Sequence, residues 1–137
     1  MNYQNSQHFW KKQNMPNYTI TDADFLFRRF SILDEPNYAV FWKVDNGRKI
    51  PSSAAFKTKL NEDGLSVNIA ALTTPQATVG NPEEFGIAEI SASTPIGLGY
   101  DCIHNPQPEN EAHALIVGDT KPIAKKLSKA ITQVFEF

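Results

Sequence analysis

The chain is 137 residues long, with 41% hydrophobic and 20% charged residues, which accommodates one domain and excludes both wholesale disorder and a fibrous repeat. Its one cysteine, Cys102, excludes an internal disulfide, and no apolar run approaches the roughly 18 residues of a membrane-spanning helix. The net charge of -2 is unevenly laid out: nine Lys or Arg against five Asp or Glu up to Leu60, none against nine from Asn61 to Asp119, and four against one thereafter.

The first 17 residues are polar, rich in Asn and Gln, interrupted by Pro16, and without an apolar run long enough for a signal-peptide core. They read as a tail, with Trp10 as a candidate anchor for a partner, ahead of a single domain over residues 18–137 in a cytoplasmic setting. Phe25–Ser31 alternates like a strand, although Thr21 or Asp22 could equally cap a short helix through Phe30. Residues 38–44 are β-branched and aromatic and run into Asp45-Asn46-Gly47-Arg48. This predicts a strand entering a tight turn, because an Asn-Gly pair tolerates positive φ. Pro51 limits the return strand and leaves Ser52 and Ser53 in a loop or at the start of the next element.

Phe56, Thr58 and Leu60 alternate with Lys57 and Lys59, residues 61–64 supply a turn, and residues 65–70 alternate again, which predicts a second hairpin. Residues 73–82 are a loop punctuated by Pro75, Gly80 and Pro82, with a helical turn expected over 82–85. Residues 86–92, 98–103 and 113–117 are further strands, the last two separated by an extended proline loop over 105–110. From Thr120 onward, Ile123, Ala124, Leu127, Ala130, Ile131, Val134 and Phe135 recur at helical spacing behind an N-cap threonine and Pro122. The sum is an α+β domain: a mostly antiparallel sheet of five or six strands with a C-terminal helix packed on one face.

That helix would carry Lys121, Lys125 and Lys129 in an i, i+4 row with Lys126 beside them, a basic face suited to an acidic protein partner. The acidic middle of the chain makes nucleic acid an unsuitable partner there, since phosphate binding needs clustered cations. Asp101, Cys102, His104 and His113 lie close in sequence, and a nucleophilic thiol needs a neighbouring imidazole. Leu98, Tyr100 and Cys102 on one strand face would instead bury the thiol, where cysteine serves as a small hydrophobe. His104, Glu109, Glu111 and His113 offer metal donors, but no His-x-x-x-His or Cys-x-x-Cys spacing accompanies them, and no metal site is expected. His113, on the side of Leu115 and Val117, reads as a half-buried histidine donating to a loop carbonyl. Residues 117–121 lack the P-loop pattern and read as ordinary helix capping.

Arg28, the Ser52-Ser53-Ala54-Ala55-Phe56 segment and Gly64-Leu65-Ser66 follow one another in an order that resembles the ADP-ribosyltransferase fold, including the RES-type toxins. The resemblance spans Arg28 to Ser66. It implies NAD as the ligand, with Arg28 holding its phosphates and Ser52 or Ser53 shaping the nicotinamide pocket. Glu89, the one candidate for the family's late glutamate, would then stabilise the developing ribosyl cation.

No set of residues combines the types and the spacing that chemistry needs. The sequence therefore reads first as a small binding or accessory domain that works through a protein partner or a homo-oligomer, using Lys121, Lys125, Lys126, Lys129 and Trp10, without cofactor, metal or membrane. The alternative is an NAD-linked ADP-ribosyl transfer or NAD-degrading enzyme on Arg28, Ser52, Ser53 and Glu89. A metal-assisted hydrolase using His104 and His113 comes third.

Overall fold

The computed structural model describes residues 17–137; Trp10, with the rest of residues 1–16, lies outside the described residues. The strands are β1 (Phe25–Ser31), β2 (Trp42–Asp45), β3 (Arg48–Pro51), β4 (Gly64–Ile69), β5 (Phe85–Ser91), β6 (Cys102–His104), β7 (His113–Val117) and β8 (Ile131–Phe135). The α-helices are short: α1 (Pro75–Val79), α2 (Ser93–Gly97) and α3 (Ala124–Lys129). Phe25–Ser31 is a strand because all seven residues pair with β5, from Phe25↔Ser91 to Ser31↔Phe85. Six strands form one sheet in the order β6-β7-β4-β1-β5-β8, antiparallel at every step, and β2 and β3 make a separate hairpin. Asn46 and Gly47 at its tip have φ of 51° and 78°, the backbone of a two-residue hairpin turn.

Strand side chains alternate between faces, and here both faces are apolar. Leu26 and Phe30 of β1, Leu65, Val67 and Ile69 of β4, Ile90 of β5 and Ile116 of β7 share the main core with Phe56 and Leu127. The opposite face holds a smaller cluster of Phe27, Val79 and Ile87, with Phe85 and Phe135 against it. β4 lies so close to β7 that a Cβ on Gly64 would stand 2.4 Å from the Ile116 carbonyl oxygen. Gly64→Ala is therefore expected to cost about 1–3 kcal/mol, seen as a lower urea midpoint at unchanged slope.

The largest departure from the sequence reading is the C-terminus. A 3-10 turn over Lys121–Ile123 leads into α3, and the chain then becomes strand β8 rather than a continuing helix. Val134 points into the main core while Phe135 crosses to the other face, its ring edge-on to Phe27 with centroids 5.7 Å apart. Adjacent apolar residues that serve two sheet faces imitate one helical stripe, and β-branched Ile131, Thr132 and Val134 favour the strand. Thr132 is the extra residue of a register shift, since Glu89 pairs with Gln133 and Ile90 with Ile131.

The predicted second hairpin is absent from the described residues: Ser53–Phe56 is a 3-10 turn, Leu60 is 85% exposed, and both edges of β4 are taken by β7 and β1. Residues 39–41 form another 3-10 turn, and β2 is confined to four residues because its partner ends at Pro51, opposite Trp42. Most of 98–103 is not strand either. Ser93–Gly97 is helical, Gly99 at φ 91° reverses the chain, and only Cys102–His104 pairs. Within the predicted loop at 73–82 lies α1, capped by the Thr74 hydroxyl accepting the Ala77 N–H at 3.1 Å, with Pro75 in its first turn.

Thr120 occupies the N-cap position ahead of the 3-10 turn, as the sequence predicts, but its side chain makes no capping hydrogen bond. Its buried hydroxyl donates to the Phe56 carbonyl and accepts the Thr58 N–H, tying the 53–58 segment to the start of the C-terminal region. Asp119, one residue earlier, supplies the acceptor instead: its carboxylate accepts the Lys121 N–H at 3.0 Å and the Thr58 hydroxyl at 2.9 Å, which holds its pKa below the ordinary carboxylate value. A depressed pKa contributes stability above the unfolded-state value that is lost as pH falls through the folded one. Asp119→Asn is expected to flatten the fall in melting temperature below about pH 4, measured by circular dichroism across an acid series.

Candidate functional site

β1 pairs with β4 only at Leu26↔Ile69 and Phe27↔Asn68, whereas β4 continues along β7 back to Gly64 and β1 continues along β5 to Ser31. Beyond Phe27 the two strands part, and the Ser66 carbonyl is left without a ladder partner from β1. The Arg28 side chain fills the slot. Its Nη1–H donates to the Ser66 carbonyl at 2.9 Å and its Nε–H to the Ala55 carbonyl at 2.8 Å. Burial in this slot pulls the guanidinium down to about 10, still a cation at neutral pH. Among the described residues no carboxylate forms an ion pair with it, and Glu62 acts on it only at longer range.

The parted strands open a cleft of about 540 Å³, within the range of small-molecule sites. Its lining includes the cations Arg28, Arg29 and Lys59, the aromatic rings of Tyr38, Phe41 and Phe85, and the polar side chains Ser66, Asn68, Thr78, Gln107, Asn110 and His113. Among the described residues no Asp or Glu belongs to the lining. Arg29 lies over the Phe85 ring, 4.1 Å from its centroid, a cation–π contact that sets one wall.

The polar side is fixed by a chain of amides. Asn110 Nδ2 donates to Asn68 Oδ1 at 2.8 Å, Asn68 Nδ2 donates to the Thr78 hydroxyl at 3.0 Å, and Asn110 Oδ1 accepts the Ala112 N–H. This ties the proline loop to β4 and α1 across the cleft. Next to it His113 sits with one ring nitrogen 2.9 Å from the Asn105 carbonyl and the other 3.1 Å from the Ser66 hydroxyl, the loop-carbonyl contact that its place in the sequence predicts.

Of the residues singled out from the sequence, Arg28 alone of the NAD set lines this cleft. Ser52 donates to the Val40 carbonyl and Ser53 begins a 3-10 turn; their segment contributes Ala55 instead. Glu89 faces away toward β8, accepting the Thr132 hydroxyl at 2.7 Å, so the fold does not bring Arg28, Ser52, Ser53 and Glu89 to one point. Lys121, Lys125, Lys126 and Lys129 are exposed, and Lys121 lies 3.6 Å from Asp119.

His104 accepts the Tyr18 N–H at Nδ1, and its Nε2 faces the Glu111 carbonyl; an Nε2–H tautomer uses both nitrogens, leaving no lone pair for a metal. Among the described residues no group of three His, Cys, Asp or Glu is placed to hold a metal ion, and no helix is long and apolar enough to cross a membrane. Cys102 is half-buried, and burial, with Asp101 beside it, pushes its thiol up to about 11. Alkylation at pH 7 is expected to run slower than for a free thiol, and Cys102→Ala to cost only about 1 kcal/mol.

Ser66 belongs to the segment that carries the family resemblance but has no role of its own in it, and the sequence does not single out Asn68 and Asn110 as site residues. Their one visible signal is the pair of polar residues at alternate positions of a strand that is otherwise apolar. Comparison of the chain with family models, with curated proteins and with solved structures finds no match in any of the three.

Proposed function

We propose that the chain binds a phosphate-bearing small molecule of the nucleoside-diphosphate class, NAD included, in the cleft between β1 and β4. The observation that carries this reading is Arg28, a partly buried cation that donates to two carbonyl oxygens and, among the described residues, pairs with no carboxylate. Neutral carbonyls offset only part of the desolvation of a cation, and an anionic ligand would offset the rest. Arg29 and Lys59 add positive charge to the same lining, no Asp or Glu among the described residues competes there, and Tyr38 and Phe41 offer surfaces on which a base can stack.

This reading keeps the role that the family resemblance gives to Arg28 and drops the one it gives to Glu89. A thermal-shift series tests it. ADP and NAD are expected to raise the melting temperature, by an amount set by mass action, while adenosine and nicotinamide leave it unchanged. Equal shifts from charged and uncharged compounds, or none from either, would remove the phosphate from the reading.

A further inference from the structure

We infer that Ser66 and His113 are a nucleophile and its base, acting on a phosphorus centre of the ligand that Arg28 holds; the inference rests on the nucleotide reading of the cleft. Both residues line it. His113 Nδ1 lies 2.9 Å from the Asn105 carbonyl oxygen, which can only accept, so that nitrogen carries the hydrogen. In the tautomer that this contact favours, the Nε2 lone pair faces the Ser66 hydroxyl, 3.1 Å away. Asn105 is pinned in turn, its own N–H donating to the His113 carbonyl at 2.8 Å. A nucleophile bonded to a base, and a base oriented by a third group, are the relations that activate a serine; here the third group is a backbone carbonyl. His104 makes the contrast, since its Nδ1 is spent on the backbone N–H of Tyr18 and its Nε2 faces a backbone carbonyl. Because the Ser66 carbonyl accepts from Arg28, the residue that supplies the hydroxyl is tied to the cation that would hold the phosphate, and a positioned arginine favours charge growing on a transferring phosphoryl group.

In the first step Ser66 Oγ bonds to phosphorus of a phosphoanhydride, its proton passes to His113 Nε2, and the P–O bond to the leaving phosphate breaks as that phosphate takes the proton. In the second, water attacks the phosphoserine while His113 accepts the water's proton and returns it to Ser66 Oγ as the P–O bond breaks. One water is consumed and nothing is oxidised or reduced.

A fluorophosphonate demands the same attack at phosphorus, with fluoride leaving, and serves as the probe. The full chain is treated with it in the presence and absence of saturating ADP, while ADP binding is measured separately by calorimetry. One adduct per chain is expected, located on Ser66 by peptide mass spectrometry, slowed by ADP, and formed at least about tenfold more slowly in His113→Gln. No adduct on Ser66 of the natural chain, with ADP still bound, overturns the pair and leaves the ligand class standing. Neither adduct nor ADP binding overturns both. An adduct without ADP binding overturns the phosphoanhydride as substrate, and labelling unchanged in a folded His113→Gln overturns the base. The arm on the natural chain decides the nucleophile even if His113→Gln does not fold.

Discussion

A chain ending at Asp119 is expected to show no cooperative melt. Ile123, Ala124, Leu127 and Val134 all belong to the buried core, and the three large ones represent roughly 1.5–3 kcal/mol each on burial. Removing Thr120 also strips the buried Thr58 N–H of its acceptor, at about 1–3 kcal/mol for a group left unpaired, and loss of β8 exposes the edge of β5 along Ile87–Ile90. Against a total stability of roughly 5–15 kcal/mol for a domain, these losses consume most or all of the margin. Leu127→Ala, a milder version of the same change, is expected to cost about 2–5 kcal/mol. Circular dichroism on heating reads both, and a cooperative transition in the shortened chain would show that the sheet is stable without its last strand.

Arg28→Met is expected to reduce ADP affinity by roughly 10- to 150-fold, the equivalent of one charge-assisted hydrogen bond of about 1.5–3 kcal/mol. Its effect on folding is a competition. The Ala55 and Ser66 carbonyls lose their donors, at about 1–3 kcal/mol each if left unpaired, while removal of a partly desolvated cation returns part of that loss. The opposing terms bring the expected net change in stability to within about 2 kcal/mol. Arg28→Lys keeps charge but loses the planar fork that reaches two carbonyls at once, so part of the affinity is expected to return. Urea unfolding and calorimetry on the same preparations separate the terms. A variant that loses several kcal/mol of stability yet binds ADP normally would make Arg28 a purely structural strut.

Local chemistry made part of this legible from the sequence. The Asn46-Gly47 turn is announced by two residues that accept positive φ, and His113–Val117 by a short apolar run bounded by Gly118 and Asp119. The C-terminus misled because a sheet covered on both faces sends Val134 one way and Phe135 the other, and that spacing is shared with a helix. Thr58 misled for a related reason: its alternation with Phe56 is real, but what buries it is Thr120, 62 positions away. The cleft depends on non-local facts of the same kind. Arg28 could be named from its order in the chain. That β1 and β4 separate after Phe27, and that Ser66 meets His113 across 47 positions, follows from strand pairing, which residue types alone do not specify.

The most direct test of the cleft is calorimetric titration of the full chain with ADP and with adenosine, beside the same titrations of Arg28→Met. Saturable binding of one ADP per chain, at least about tenfold tighter than adenosine, with the difference collapsing in Arg28→Met, is the expected result. Equal affinities for ADP and adenosine, or no heat from ADP at all, would contradict a cleft built for an anionic ligand around an arginine that only neutral carbonyls hold.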